Sequence, residues 1–341
     1  MKTTFPLPTG FLFTDDYSKG RLETLSIGDY GKHHNVKADF LGYGREIHGV
    51  PNVACMPLSE KWVVTLSTQY GCPMKCTFCD VPNIKFGGNA TFDDLKRQLY
   101  GAIELFPTVK YTERLNIHFA RMGEPIFNDA VFAFSHWLAG GKRQIQRETG
   151  VRIEVVHPVL TTSLPRRLAS LESRILEWCD IKNDLFNGQA GLQFSINSTD
   201  ENQRSAMFQG EQLTLEDFSR VADKMPEPLS RKYCLNFACS TDFEINARQL
   251  DRLFDRNKFM VKITPIHNNN ACRENDIATV GGYDSWAPYK QPEDSLKSLG
   301  WDVLVFVPSI DEEDGLVTCG NAVLGGSQLK REMSVVNIQG I

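Results

Sequence analysis

The chain has 341 residues, is 41% hydrophobic and carries a formal net charge of -5. A chain of this length and composition can bury one large core, since single α/β barrels routinely exceed the usual domain length. The acidic balance lacks the usual sign of a nucleic-acid-binding domain, a clear basic excess, although a local patch can serve. Met1 to Thr14 holds Pro6 and Pro8 in place of a signal peptide's apolar core, and no run approaches membrane-spanning length. Nine cysteines, an odd number, then point to a reducing cytosol rather than a disulfide framework.

Residues 1 to about 60 mix Gly, Asp, Lys and short apolar runs such as Phe40-Leu41-Gly42-Tyr43-Gly44, which predict a short β-rich lead-in of small strands and tight turns. From Trp62 the pattern becomes apolar runs alternating with amphipathic stretches, which predicts repeated βα units and a parallel sheet. The expected strands are Trp62–Ser67, Leu115–Ala120, Ile153–Leu160, Gly191–Asn197, Tyr233–Ser240 and Met260–Ile266. Helix starts are legible between them: Thr91 ahead of Asp93 and Asp94, Thr214 ahead of Glu216 and Asp217, and Asn246 ahead of Leu250 and Leu253. The fold class is therefore α/β, a partial (β/α)6 barrel, with chemistry expected at the C-terminal ends of the strands. A long polar loop follows Ile266 to about Pro288, then a helix near Pro292–Leu299 and an apolar run, Trp301–Val307. The expected division is 1–60 for the lead-in, 61–310 for the barrel and 311–341 for a C-terminal extension carrying a Cys319 loop.

At the end of the first barrel strand stands Cys72-Pro73-Met74-Lys75-Cys76-Thr77-Phe78-Cys79. A 4Fe-4S cluster takes one thiolate per iron. Three cysteines in C-x3-C-x2-C spacing, with no fourth until Cys179, suggest a cluster on Cys72, Cys76 and Cys79 with one iron left open for reaction. The competing reading is structural zinc, but zinc knots pair two C-x2-4-C sets and close to four ligands, and only one set is local here. Simple packing of three cysteines is disfavoured because Pro73 and Lys75 make the stretch a loop.

That spacing, with Phe78 before the last cysteine, resembles the radical S-adenosylmethionine (SAM) enzymes, in which the open iron chelates SAM and an electron from the cluster cleaves it. Within that superfamily the chain resembles the RNA adenine C2/C8 methyltransferases over roughly three quarters of its length, from about Thr65 to Gly326. Ser67-Thr68-Gln69-Tyr70-Gly71-Cys72 is similar to the family's lead into the cluster loop. Met122-Gly123-Glu124-Pro125 matches its G-E-P motif, which implies that Gly123 and Glu124 hold the SAM amino group. Thr161-Thr162-Ser163 resembles a run of SAM-binding hydroxyls, with Ser163 the candidate; the alternative is an ordinary cap for a helix from Leu164. Ser195-Ile196-Asn197, followed by Arg204, stands where the family has S-L-H, implying SAM contacts from Ser195 and Asn197. Pro265-Ile266-His267-Asn268 occupies the place of P-x-N-P, so His267 and Asn268 are both candidates for the SAM adenosine.

Cys319-Gly320-Asn321 resembles the family's C-G-Q, whose cysteine is methylated and supplies the carbon added to the base. Two departures stand out besides Arg121, where the family has glycine. Seven residues before Cys72 the family has a second catalytic cysteine, and this chain has Thr65, whose hydroxyl is a far poorer base than a thiolate; Cys55 is a possible substitute. The family's N-terminal helical RNA-gripping domain also has no counterpart in so short and β-like a lead-in. The best basic cluster is Lys142, Arg143, Arg147, Arg152, Arg166, Arg167 and Arg174, set among Glu148, Glu154 and Glu172. The resemblance implies a cytoplasmic methyltransferase with a 4Fe-4S cluster and SAM as cofactors, ribosomal or transfer RNA as partner, and an electron donor such as flavodoxin or ferredoxin. The alternative is a radical SAM enzyme that modifies a nucleotide or other small molecule by hydrogen abstraction, with Cys319 as hydrogen donor or tether.

Overall fold

The structure, a computed structural model, describes residues 1–28, 57–280, 287–308 and 310–335, together with the backbone of two short paired strands, Glu46–Ile47 and Val50–Pro51. The Phe40–Gly44 stretch and Cys55 lie outside the described residues. Three N-terminal strands, Thr3–Leu7 (β1), Gly10–Tyr17 (β2) and Gly20–Ile27 (β3), form an antiparallel meander. β3 pairs antiparallel with Lys61–Leu66 (β4) through Leu25 opposite Thr65 and Ile27 opposite Val63. The lead-in therefore extends the barrel sheet at its first strand.

From β4 the sheet is parallel. Tyr111–Phe119 (β5), Arg152–Thr162 (β6), Gly191–Ser195 (β7), Tyr233–Cys239 (β8) and Phe259–Pro265 (β9) follow in spatial as well as chain order. Val303–Val305 (β10) adds a seventh parallel strand beside β9, from the apolar run after the last predicted helix. Each strand presents alternate residues to the two faces. On β9, Phe259, Val261 and Ile263 are buried against the helices, while Lys262 and Thr264 face a cavity inside the barrel.

The helix starts are set by local chemistry. At Phe92–Glu104 (α1), Thr91 Oγ1 accepts from Asp94 N at 3.1 Å and the Asp94 carboxylate accepts from Thr91 N at 2.9 Å, a reciprocal cap. The same carboxylate accepts from the Tyr70 and Ser18 hydroxyls, which ties α1 to both the cysteine loop's first residues and the N-terminal meander. Thr214 and Asn246 cap Leu215–Lys224 and Ala247–Leu253 in the same way, each accepting from the third backbone N–H at 3.1 Å. Outside the barrel, Phe194, Phe218, Phe254 and Phe259 pack as one aromatic group, with the Phe194 and Phe218 centroids 4.6 Å apart. Burying each such ring stabilises the fold by about 1.5–3 kcal/mol.

Two expectations change. No helix begins at Leu164: that residue has φ of 57°, and the next helix, Leu171–Asp180 (α3), starts seven residues later, so Thr161–Ser163 is not a helix cap. The basic cluster also divides. Lys142, Arg143 and Arg147 sit in the last turns of Asp129–Thr149 (α2), which leads back to the start of β6 at Arg152, whereas Arg166 and Arg167 follow the C-terminal end of β6. The seven cations thus belong to opposite ends of the barrel.

Candidate active site

Parallel strands place their C-terminal ends, and the loops that follow, around one mouth. A cavity of about 370 Å³ opens there, large enough for a small ligand. Cys72, Cys76 and Cys79 line it from the loop after β4, Gly123 and Glu124 from the loop after β5, and Ser163 from the loop after β6. Ser195 and Asn197 contribute from β7, His267 from the loop after β9, and Cys319 from the C-terminal segment. Asn268 is not among the cavity's lining residues: its backbone N–H donates to Glu313 at 3.1 Å, and its carbonyl oxygen is engaged by Arg273.

The cysteine loop is held by its backbone. Thr77 N donates to Met207 O at 2.9 Å, Asn269 Nδ2 donates to Phe78 O at 2.9 Å, and Arg167 donates to Pro73 O at 2.6 Å. Phe78 meets Phe208 edge-on with centroids 5.2 Å apart. These contacts leave the thiols free to face the cavity. Burial pushes all three thiols up, Cys72 to about 12, and the neighbouring thiols add to the effect at Cys76 and Cys79. Coordination would offset that cost by deprotonating them outright.

Among the described residues, no three His, Cys, Asp or Glu side chains are gathered closely enough to hold a single metal ion. A 4Fe-4S cluster makes no such demand, because each thiolate binds a different iron and the sulfurs stand farther apart than ligands of one ion. Three unpaired thiols on one cavity wall fit that donor set.

Glu124 is buried, with Oε2 accepting from Ser163 N at 2.7 Å and its own N–H donating to Gln69 Oε1 at 2.8 Å. Burial raises its carboxyl to about 7, although the bonds from Ser163 and Thr162 pull the other way. A cation brought into the cavity would favour its charged form. Gly123 has φ of 99°, and a Cβ there would lie 2.6 Å from the Gln69 side chain, so the turn that presents Glu124 requires glycine.

Arg121, the residue that departs from the family pattern, is 1% exposed at its side chain and pairs with Glu23, which is fully buried. Its Nε donates to Glu23 Oε1 at 2.8 Å and its Nη1 to Leu316 O at 2.7 Å, while the other Glu23 oxygen accepts from Leu324 N at 3.0 Å. The pair grips the Cys319 loop on both sides. Asp80 holds the same loop from the cysteine side: its N–H donates to Gly320 O at 2.8 Å and its carboxylate accepts from Ser327 Oγ. Cys319 stays open to solvent through the cavity. The surrounding walls raise its thiol, and the charges of Lys262 and Arg121 oppose that rise.

Residues with no motif also line the cavity: Lys61, His118, Gln193, Asn236, Lys262 and Thr264. Their only sequence signal is a polar residue at the inward position of an otherwise apolar strand. Thr65 lines it too, and the only thiols there among the described residues are Cys72, Cys76, Cys79 and Cys319.

No family model matches the chain. A curated relative from Oleidesulfovibrio alaskensis, described as a dual-specificity RNA methyltransferase RlmN, is 28% identical over 205 residues, 57% of this chain and 51% of the relative. A probable RNA methyltransferase of the same name from Pseudothermotoga lettingae is 25% identical over 210 residues, 60% of this chain and 54% of its own. One from Thermus thermophilus is 37% identical over 73 residues, 21% of this chain and 20% of the relative. The chain thus spans between a fifth and about half of these relatives' length. A crystal structure of a radical SAM methyltransferase from Sphaerobacter thermophilus superposes with a TM-score of 0.59, covering 92% of this chain and 76% of that one at 18% identity. The chain is thus similar at modest identity to these RNA methyltransferases, and its fold is shared with that radical SAM methyltransferase.

Two outcomes follow from the loop's attachments. Glu23→Gln leaves the Arg121 charge buried and unpaired, which costs about 3 kcal/mol. Urea unfolding should register that loss, and Cys319 should alkylate faster as its loop loosens. Separately, burial works to raise the Glu313 carboxyl, but His267 and Lys330 overcome it and hold the group at about 2, below its ordinary 4.5. A carboxyl depressed on folding contributes stability that is full above pH 4.5 and is lost as pH falls towards 2. Hydrogen exchange in 310–330 should therefore accelerate between those values, and Glu313→Gln should flatten the dependence.

Proposed function

We propose that this chain is a radical SAM methyltransferase that modifies an adenine in RNA, with Cys72, Cys76 and Cys79 on a 4Fe-4S cluster and Cys319 as methyl carrier. The observation that carries the reading is the meeting of those cysteines, Glu124 and Cys319 in one cavity, though they come from distant parts of the sequence. When bound, the cluster would supply the electron for reductive cleavage of SAM.

The chain's own residues have separate tasks. Glu124 accepts hydrogen bonds from the SAM ammonium, while the hydroxyls of Ser163 and Ser195 and the polar groups of Asn197 and His267 are the candidates for the rest of that molecule; Asn268, outside the cavity, drops out. Cys319, once its proton has left, is the sulfur that takes a methyl group from one SAM, releasing S-adenosylhomocysteine. RNA and an electron donor such as flavodoxin or ferredoxin are the partners this reading requires, and a reducing cytosol suits it. No helix among the described residues is long and apolar enough to cross a membrane.

The division of the basic cluster favours a second reading, in which the substrate is a nucleotide or other small molecule and Cys319 is a hydrogen donor or tether. Copurifying nucleic acid with a salt-dependent affinity supports the RNA reading, and its absence the second.

Glu124→Ala should weaken SAM binding roughly tenfold to a hundredfold, the loss of one charged hydrogen bond, with iron and sulfide content after anaerobic reconstitution unchanged. Iron loading without 5'-deoxyadenosine production would defeat the reading for the native chain. In protein incubated with SAM, the tryptic peptide containing Cys319 should gain one methyl group, and Cys319→Ala should lose it. Because Thr65 cannot resolve a covalent adduct as a thiol would, Thr65→Cys should raise turnover on RNA unless Cys55 already fills that role. An unmethylated Cys319, with full activity in Cys319→Ala, would transfer support to the small-molecule reading.

A further inference from the structure

Two polar side chains inside the barrel have no part in the scheme above and no adequate partner in the protein. Lys262, on β9, makes no hydrogen bond or ion pair among the described residues; its ammonium lies 5.4 Å from the centre of the Phe306 ring. Asn236, on β8, is buried and its side chain makes no hydrogen bond among the described residues. Its Oδ1 is shut off from solvent, so the amide offers the cavity its NH2. The two are register partners on adjacent parallel strands, and both line the cavity. What the pair presents to a ligand is therefore a set of N–H donors, one of them charged.

The ligand that suits such a pair is an oxyanion, whose oxygens can accept from the ammonium and the amide together. The barrel interior favours negative charge: the His118 ring is held down at about 3 by burial and by the charges of Lys262, Lys61 and Arg231. SAM is the nearest rival occupant, since Ser195 is the register partner of Asn236 on β7. Its one anionic group is a carboxylate bonded to the carbon that bears the ammonium, and the ammonium is assigned to Glu124. Glu124 follows β5, and three strands separate β5 from β9 in the sheet, so that carboxylate is not placed at Lys262. A nucleotide substrate brings its own oxyanion, the phosphate. Asn236 and Lys262 each stand three residues before the ends of their strands, at Cys239 and Pro265. That is roughly 10 Å inside the mouth at about 3.3 Å per residue, which leaves the rest of the nucleotide to extend outwards.

Resting on the proposed substrate class, we infer that Lys262 and Asn236 form a subsite for a phosphate of the target nucleotide, at the wall shared by β8 and β9. The subsite anchors the substrate and takes no part in cleaving SAM.

The test uses the reconstituted full chain with adenosine, AMP and a short adenine-containing oligoribonucleotide lacking terminal phosphates, and SAM affinity is measured in parallel. The native protein should bind AMP at least tenfold more tightly than adenosine, the difference expected from charged hydrogen bonds to one group. Asn236→Leu and Lys262→Met should each remove most of that preference while SAM affinity stays within about twofold. Lys262→Met should melt no lower than the native protein, because it removes an unpaired charge. A parallel loss of oligoribonucleotide affinity assigns the subsite to a phosphate within a chain, and a loss confined to AMP assigns it to a terminal one. Equal binding of AMP and adenosine by the native protein overturns the inference, whether or not either variant folds. A large loss of SAM affinity in both variants, with melting temperatures unchanged, also overturns it, because the pair would then hold SAM. So does unchanged AMP affinity in Lys262→Met with methylation of Cys319 lost, since the ammonium would then serve that thiol, whose rise it opposes. A preference for AMP in a native chain that cleaves no SAM would leave this inference standing and remove the methyltransferase reading.

Discussion

A buried arginine is stable only where a carboxylate and several carbonyls meet it, and at Arg121 that requirement joins three distant parts of the chain. Glu23 comes from the N-terminal meander, Arg121 from the end of β5, and Leu316 and Leu324 from the C-terminal segment. Neither charge has water to fall back on, so the loop between Leu316 and Leu324 has to close over the barrel mouth for both to be satisfied. Cys319 lies within that loop. The N-terminal strands thus do more than extend the sheet: the acid that fixes the C-terminal loop sits on one of them, and its placement depends on the β3–β4 pairing.

The second constraint is the two-residue period of the strands. Where helices cover the outer face, that face must be apolar, and Phe259, Val261 and Ile263 on β9 are. The inner face has no such obligation. It carries Lys262 and Thr264 on β9, Asn236 and Ala238 on β8, and Gln193 and Ser195 on β7. A barrel filled with branched apolar side chains would be a packed core; one whose inner rows are short or polar keeps room for a ligand. The cavity is therefore written into each strand from β4 to β9, although only the strand ends carry recognisable motifs.

The legibility of the sequence follows the same division. The apolar outer rows made the strands readable, and the hydroxyl and amide caps at Thr91, Thr214 and Asn246 made their helices readable, because both signals are local. The cysteine loop and the Glu124 turn were readable because closely spaced residues carry the chemistry. What sequence could not supply was pairing across distance. Glu23 reads as an ordinary polar residue of a hairpin, and Arg121 as a departure from a pattern, until the fold buries them together. The basic cluster failed for the converse reason: residues near in sequence were carried to opposite ends of the barrel by α2 running back along it. Leu164 failed locally, its left-handed backbone ending the hydroxyl run in a turn.

The replacement at Thr65 gains meaning from the cavity. In a chain whose reaction needs one thiol to carry carbon and a second to release product, the second must reach the same space as Cys319. Thr65 does reach that space, from the strand beside His118, so the position is right and only the atom differs. A hydroxyl keeps the hydrogen-bonding capacity of the wall but neither ionises near neutrality nor forms a disulfide. The buried cysteines at 179, 239 and 272 are no substitute, since none of them lines the cavity and burial raises each thiol. On the proposed function, either another residue delivers a thiol to this wall, or a reaction at Cys319 ends without the covalent adduct that a second thiol would resolve. The second outcome is a different reaction on the same scaffold, and the atom at position 65 is where the two diverge.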